Sequence, residues 1–237
     1  MADLIVRGGN KLIGEITPAG NKNSALPIIC ASLLTNEDVI IRNMPDITDV
    51  AKLLDLMSSL GSSISWDKDK CVLKINNSNF KEDFGDESFP LGMRGAVLLL
   101  GPLVTRMKKI EIKEEIGGCS LGIREIDPHL EVLRELNVDI DTNGTIKINT
   151  EKGLKAGNLW QEYMSVTTTE NFIMAASKAK GISTMTNAAS EPHVQDLCNC
   201  LNSMGAKITG IGSSIITVEG VEELHGTDFT ITSDHHE

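Results

Sequence analysis

Five residues in one short stretch have the types and spacing that could bind and react with a small anion. Gly117, Gly118 and Gly122 stand around Cys119, and Arg124 follows five residues after the cysteine. Glycine lets a backbone turn sharply beside a ligand, a guanidinium binds phosphate or carboxylate through paired hydrogen bonds, and a thiol supplies a proton or a nucleophile. The stretch is either a ligand-binding loop, expected to move when empty, or a glycine turn that holds a buried cysteine.

Lys22 is a second candidate, because it falls where a helix is predicted to start. Residues 18–24 are rich in turn formers, and residues 25–34 have the apolar character of a buried helix with Pro27 in its first turn. Backbone N–H groups at a helix N-terminus favour an anion. Lys22 is thus either an anion-binding lysine or a solvated lysine at a helix start.

Composition restricts the class of partner. The chain has 237 residues and a formal net charge of -11, which argues against a nucleic-acid surface or a polybasic membrane patch. No apolar run is long enough to cross a bilayer, and the first residues do not resemble a signal peptide. We therefore expect a cytoplasmic protein, in which the local charge of a pocket can still oppose the net charge and suit an anionic ligand.

The cysteines do not suggest a disulfide framework or a metal site. Their number is odd and their spacing uneven: Cys30, Cys71, Cys119, Cys198 and Cys200. Cys198 and Cys200 fall in a helical pattern that does not place both thiols on one face, so we interpret them as packing residues. No metal and no cofactor is expected.

The elements that must position these residues are predicted to recur three times. Residues 20–75, 93–148 and 165–218 each read as an apolar helix, a strand, a loop, an amphipathic helix and a hairpin. Each amphipathic helix is predicted to end near a residue suited to left-handed backbone: Gly61, Asn137 and Gly205. Such repetition predicts three modules around a shared core, with apolar helices 25–34, 95–103 and 170–179 buried together. Further short strands are predicted at residues 3–7 and 11–16.

Several of these segments also carry a family resemblance. They are Gly20–Ile28, Met93-Arg94 followed by Leu100–Leu103, Gly117–Gly122 with Arg124, and Glu191-Pro192. In this order they resemble the UDP-N-acetylglucosamine 1-carboxyvinyltransferases, members of the enolpyruvyl transferase family. The resemblance implies an α/β fold in which three repeated βαβαββ-like units form one inside-out α/β domain. It assigns residues 20–227 to a UDP-sugar-binding domain carrying the cysteine loop, and residues 1–19 and 228–237 to a second, largely missing domain.

The resemblance also implies site residues. Lys22 and Asn23 match the phosphoenolpyruvate-binding pair, and Cys119 matches a proton donor or covalent partner that is the target of fosfomycin. The further residues that match substrate-binding positions are Arg94, Arg124, Glu125, Ile126, Asp127, Pro128, His129, Ser165 and Val166. The chain departs from the family pattern Arg-Pro-Val-Asp-Leu-His, because its proline, Pro128, directly precedes His129. Thr167 and Thr168 stand where small residues are common.

The implied reaction is transfer of the enolpyruvyl group of phosphoenolpyruvate to the 3-hydroxyl of UDP-N-acetylglucosamine, with release of phosphate. This is the first committed step of peptidoglycan synthesis, and so bears on cell wall biogenesis and cell shape. The resemblance places about half of the family's length beyond residue 237, so we expect this chain alone to be inactive. Two alternatives stay open: a non-catalytic nucleotide-sugar-binding fragment or subunit, and a 5-enolpyruvylshikimate-3-phosphate synthase, against which the Gly-Gly-Cys loop argues.

Overall fold

The computed structural model describes residues 5–11, 13–84, 94–112, 126–143 and 145–235, with the side chains of residues 94 and 95 left aside. Six α-helices occur in this part of the chain: α1 (Lys22–Ala31), α2 (Thr48–Ser59), α3 (Leu100–Arg106), α4 (Asp127–Glu135), α5 (Val166–Ala176) and α6 (Pro192–Ser203). Two 3-10 helices, Ser32–Leu34 and Arg94–Leu99, directly follow α1 and directly precede α3.

The strands form three small sheets. The strands are β1 (Val39–Arg42), β2 (Ser63–Asp67), β3 (Val72–Asn76), β4 (Lys109–Ile112), β5 (Asp139–Asp141), β6 (Ile146–Asn149), β7 (Asn158–Trp160), β8 (Ile182–Thr186), β9 (Lys207–Thr209), β10 (Ile215–Glu219) and β11 (Thr227–Thr230). The sheet orders are β11-β1-β3-β2, β4-β6-β5 and β7-β8-β10-β9. Only the pairs β11–β1 and β7–β8 are parallel among these strands.

The three sheets follow the three predicted units. The third unit contains β7, α5, β8, α6, β9 and β10 in chain order, which is a complete βαβαββ unit. The first unit contains α1, β1, α2, β2 and β3, and β11 from the other end of the domain lies parallel to β1. The chain therefore closes the domain by returning a strand to the sheet in which it began.

The apolar helices lie together at the centre, as the sequence predicts. Residues 24–31 of α1, 100–104 of α3 and 168–176 of α5 are all buried, α3 packs against α5, and α1 packs against α6. The ends of the 3-10 helix Ser32–Leu34 and of α3 border a depression of about 460 Å³ near Lys178, just beyond α5. These helices therefore end on one side of the domain.

The helix ends confirm the predicted turn chemistry. Gly61, Asn137 and Gly205 follow α2, α4 and α6 with φ angles of 101°, 69° and 103°. This left-handed region is open to glycine and tolerated by asparagine, so each helix stops before its hairpin. The hairpin β2–β3 has the predicted antiparallel pairing, from Ser63 opposite Asn76 to Asp67 opposite Val72.

The structure differs from the predicted elements in two ways. Residues 5–11 and 13–19 form no strand and are mostly exposed, because no neighbouring strand in the described ranges pairs with them. The strands β7 and β11 were not predicted, since both are short and pair only with distant residues. Cys71 lies in the turn that precedes β3, with a φ of 53°.

Candidate functional site

Lys22 is the first residue of α1, and Asn21 fixes that start. The fully buried Asn21 side chain accepts hydrogen bonds from the backbone N–H groups of Asn23 (2.8 Å) and Ser24 (3.2 Å). The helix starts three residues earlier than predicted because of this cap, so Pro27 lies in its second turn. The Lys22 ammonium lies 2.8 Å from Asp49 of α2, with both side chains about half exposed.

An exposed ion pair of this kind is weak, on the order of 0–1 kcal/mol. The Lys22 ammonium can therefore exchange Asp49 for the carboxylate or phosphate of a ligand at little cost. Asn23 is exposed beside it, and the first turn of α1 contains no acidic residue to oppose an anion. The predicted pair Lys22 and Asn23 thus stands accessible at the positive end of a helix dipole.

Asp196 holds α1 in place, and sequence reasoning missed it. This 4% exposed carboxylate accepts hydrogen bonds from the hydroxyls of Ser24 (2.8 Å) and Thr232 (2.7 Å) and from the Thr232 backbone N–H (3.0 Å). It ties the first turn of α1 to α6 and to the segment after β11. An acidic residue on the apolar face of α6 was the available signal, since such a group must find buried donors.

The second unit carries most of the predicted substrate-binding residues. Cys119, Arg124 and Glu125 lie outside the described residues, and so does the loop that we expect to be mobile. The Arg94 side chain is left aside. Ile126 and Pro128 are half-buried at the start of α4, and Asp127 is exposed. The described part of the site therefore begins immediately after the loop, at the N-terminus of α4.

His129 is buried, and protein groups face both of its ring nitrogens. Its Nδ1 accepts a hydrogen bond of 2.8 Å from the Asn171 side-chain amide, so the ring proton lies on Nε2, which is 3.4 Å from the Thr167 hydroxyl. Burial lowers the pKa of His129 to about 4. The imidazole is consequently neutral near pH 7, and it connects α4 with α5.

Ser165 caps the N-terminus of α5. Its hydroxyl accepts a hydrogen bond of 3.3 Å from the Thr168 backbone N–H, and Ser165, Val166 and Thr167 are half-buried. Gln161, which sequence reasoning did not single out, is 4% exposed and donates its amide to the Ser165 carbonyl at 3.2 Å. A capping role for Ser165 is compatible with the substrate-binding role that the resemblance implies for Ser165 and Val166.

A buried carboxyl group stands behind the site on α5. Glu170 is 2% exposed, and its Oε1 has no hydrogen-bond partner within the described ranges. Burial, with the negative charge of Glu191 as a smaller contribution, raises the pKa of Glu170 well above its ordinary value. Near pH 7 this carboxyl group therefore favours its protonated, neutral form.

The cysteines that the structure describes differ in accessibility. Cys30, Cys198 and Cys200 are buried, whereas Cys71 is exposed. Burial raises the pKa of Cys30, and it raises the pKa values of Cys198 and Cys200 to about 12. These three thiols are poor nucleophiles near neutral pH, which fits their interpretation as packing residues.

Two features are absent from the part of the chain that the structure describes. No group of three or more histidine, cysteine, aspartate or glutamate side chains there is placed to hold a metal ion. No helix in the described ranges combines the length and the apolar character that a bilayer crossing requires.

The sequence matches a known protein family. The sequence model of the family EPSP synthase (3-phosphoshikimate 1-carboxyvinyltransferase) matches residues 6–237, which is nearly the whole chain. The chain belongs to the EPSP synthase family. This result confirms the predicted resemblance at the level of the family.

Two curated relatives of the chain share one name. The chain is 46% identical over 235 residues to the UDP-N-acetylglucosamine 1-carboxyvinyltransferase of Borrelia garinii subsp. bavariensis, covering 99% of this chain and 54% of that protein. It is 42% identical over 239 residues to the protein of the same name from Bacteroides fragilis, covering 99% and 55%. The chain thus spans about half the length of the curated relatives it matches.

Solved structures share the fold. The enolpyruvyl transferase NikO from Streptomyces tendae superimposes with a TM-score of 0.79 at 20% sequence identity, covering 96% of this chain and 53% of that one. An EPSP synthase from Acinetobacter baumannii superimposes with a TM-score of 0.73 at 19% identity, covering 93% and 50%. The predicted fold class, three βαβαββ-like units in one α/β domain of an enolpyruvyl transferase, is confirmed.

Proposed function

We propose that this chain is the UDP-sugar-binding half of a UDP-N-acetylglucosamine 1-carboxyvinyltransferase. The whole enzyme transfers the enolpyruvyl group of phosphoenolpyruvate to the 3-hydroxyl of UDP-N-acetylglucosamine and releases phosphate. The names of the relatives at 42% and 46% identity support this choice. The geometric observation that carries it is the half-exposed ammonium of Lys22 at the start of α1, which forms an exposed, exchangeable ion pair with Asp49.

In the proposed site, each predicted residue has a role that its chemistry allows. Lys22 and Asn23 bind phosphoenolpyruvate, and Arg94 and Arg124 bind anionic groups of the substrates. Cys119 donates a proton to phosphoenolpyruvate or bonds to it covalently, and is the point of attack for fosfomycin. The residues that line the nucleotide site are Glu125, Ile126, Asp127, Pro128, Ser165 and Val166.

The bond changes of the proposed reaction balance without a cofactor. The sugar hydroxyl oxygen bonds to C2 of phosphoenolpyruvate and loses its proton, while C3 gains a proton. Loss of inorganic phosphate and of one C3 proton then restores the double bond. The cations Lys22, Arg94 and Arg124 offset the negative charge that gathers on the phosphate and carboxylate.

The proposal extends to the setting of the protein. The reaction is the first committed step of peptidoglycan synthesis, and its nucleotide-sugar substrate places the enzyme in the cytoplasm. Because the chain covers 54% of its relative from Borrelia garinii, we propose that a second domain completes the site and that residues 1–19 and 228–237 belong to that domain. With phosphoenolpyruvate and UDP-N-acetylglucosamine both present, we expect this chain alone to release no phosphate above the buffer rate.

Thiol reactivity tests the proposed positive field around Cys119. Alkylation by iodoacetamide across a pH series, read by peptide mass spectrometry, should modify Cys119 at lower pH than the exposed control Cys71. The substitution Arg124→Ala should move the Cys119 profile to higher pH, since a guanidinium stabilises the thiolate. Cys30 and Cys198 should stay unmodified in the folded protein. Parallel reaction of Cys119 and Cys71 would show that the field is absent.

A further inference from the structure

The Asn171 side chain lies at a junction of three helices. It is fully buried in the second turn of α5, and its Nδ2 donates to the Val97 carbonyl (2.9 Å) and to Nδ1 of His129 (2.8 Å). Its Oδ1 accepts from the Gly101 backbone N–H at 2.8 Å. Both amide N–H groups and the amide oxygen are therefore engaged, and each bond reaches a different position on a neighbouring element.

The contact with Val97 and Gly101 lies where a 3-10 helix becomes α3. These two residues are four positions apart, so the carbonyl of one and the N–H of the other form the pair that an α-helix would join directly. The Asn171 amide bonds to both groups and bridges the junction. A Cβ atom on Gly101 would lie 2.9 Å from Oδ1 of Asn171, so only glycine leaves room for the bridge.

The contact with His129 reaches the start of α4. Because Nδ1 of His129 accepts from Asn171, its protonated Nε2 faces Thr167, in the first turn of α5. Asn171 is consequently linked, directly or through His129, to the beginnings of three elements. These are the 3-10 helix Arg94–Leu99 with α3, α4 directly after residues 113–125, and α5 directly after Ser165.

Each of these beginnings carries predicted substrate-binding residues. Arg94 opens the 3-10 helix, Asp127 and Pro128 open α4, and Ser165 with Val166 opens α5. We propose that Asn171 is a positioning residue that holds these three segments in register for the nucleotide sugar, with His129 as its link to α4. This inference rests on the proposed function, and it gives His129 a role in placing the binding segments rather than in contacting substrate.

Hydrogen exchange of the 237-residue chain tests the positioning without any ligand. In Asn171→Leu, which keeps the approximate volume but removes the amide, exchange should rise about tenfold in residues 97–101, 126–130 and 165–168, because three buried hydrogen bonds are lost. Asn77→Leu is the matched control: Asn77 is equally buried, and its amide bonds to Ser32 and Ser62 in the first unit. The control should leave those three segments within about twofold of the parent chain.

A second variant keeps the test decisive if Asn171→Leu does not fold. His129→Leu removes the link to α4 but leaves the bridge between Val97 and Gly101. It should raise exchange in residues 126–130 and 165–168 but not in 97–101, and His129→Gln, which can still accept from Asn171, should restore most of the protection. Equal effects of Asn171→Leu and Asn77→Leu on the three segments, or a rise confined to 97–101, would overturn the inference.

Calorimetric titration with UDP-N-acetylglucosamine separates this inference from the proposed function. Asn171→Leu should weaken binding about tenfold, and Asn77→Leu should leave it within about twofold. If the parent chain binds and Asn171→Leu binds equally well, the positioning role is wrong. If the parent chain does not bind at all, the proposed function fails, and the exchange data alone decide whether Asn171 couples the three segments.

Discussion

Glu170 shows how far a single side chain can depart from its ordinary chemistry in this core. It lies on α5, where burial raises its pKa and the charge of Glu191 adds to the effect. Folding therefore takes up a proton at Glu170 when the pH lies above the ordinary range of a carboxyl group, and this uptake costs stability that grows as the pH rises.

The substitution Glu170→Gln should accordingly stabilise the protein more at pH 8 than at pH 5. Glutamine has the same shape and no proton to gain, so its advantage should vanish where the unfolded carboxyl group is also protonated. Urea unfolding at both pH values measures the difference, and Glu131→Gln, an exposed position on α4, is the control. Equal gains at both pH values would contradict a raised pKa.

His129 should dominate the acid side of the stability profile. The pKa of His129 is about 4 in the folded protein, below the ordinary value of 6.5. The stability that the neutral imidazole gives the folded state is therefore complete above pH 6.5 and is lost as the pH falls towards 4. The loss is on the order of 3 kcal/mol. Denaturant unfolding between pH 4 and 7 should show this slope, and His129→Gln should remove most of it. An unchanged slope in the variant would place the effect elsewhere.

At the scale of elements, the start of α1 depends on one cap. Asn21→Ala should lower the free energy of unfolding by about 1–2 kcal/mol, because two N–H groups at the helix start lose their acceptor. Asn199→Ala, at an exposed position on α6, is the matched control and should have little effect. Chemical denaturation of the two variants measures both values. Similar values for the two would indicate that another group starts α1.

The elements also show what the sequence could predict. The hairpin β2–β3 and the helix ends at Gly61, Asn137 and Gly205 follow from local patterns, and each is observed close to its predicted place. The strands β7 and β11 depend on partners far away in sequence, so no local pattern identifies them. The hydrogen-bond partners of Asp196 and Asn171 could not be assigned for the same reason, since each bonds to groups on elements distant in sequence.

At the scale of the whole molecule, the repeats explain why the site lies where it does. Each unit brings an apolar helix to the centre, and the beginnings of these helices carry Lys22, Arg94 and Ser165. The repeat pattern and the positive charges of Lys22 and Arg94 were visible in the sequence. The buried network through Asn171 and His129 that joins the segments was not, because it arises only when the units pack together.

We propose that this chain carries the nucleotide-sugar site of a carboxyvinyltransferase. Titration of the 237-residue chain with UDP-N-acetylglucosamine by isothermal calorimetry, with 3-phosphoshikimate as the comparison ligand, tests it most directly. We expect saturable 1:1 binding of the UDP-sugar, weakened by Arg124→Ala, and no saturable binding of 3-phosphoshikimate. Saturable binding of 3-phosphoshikimate, or no binding of the UDP-sugar, would contradict it.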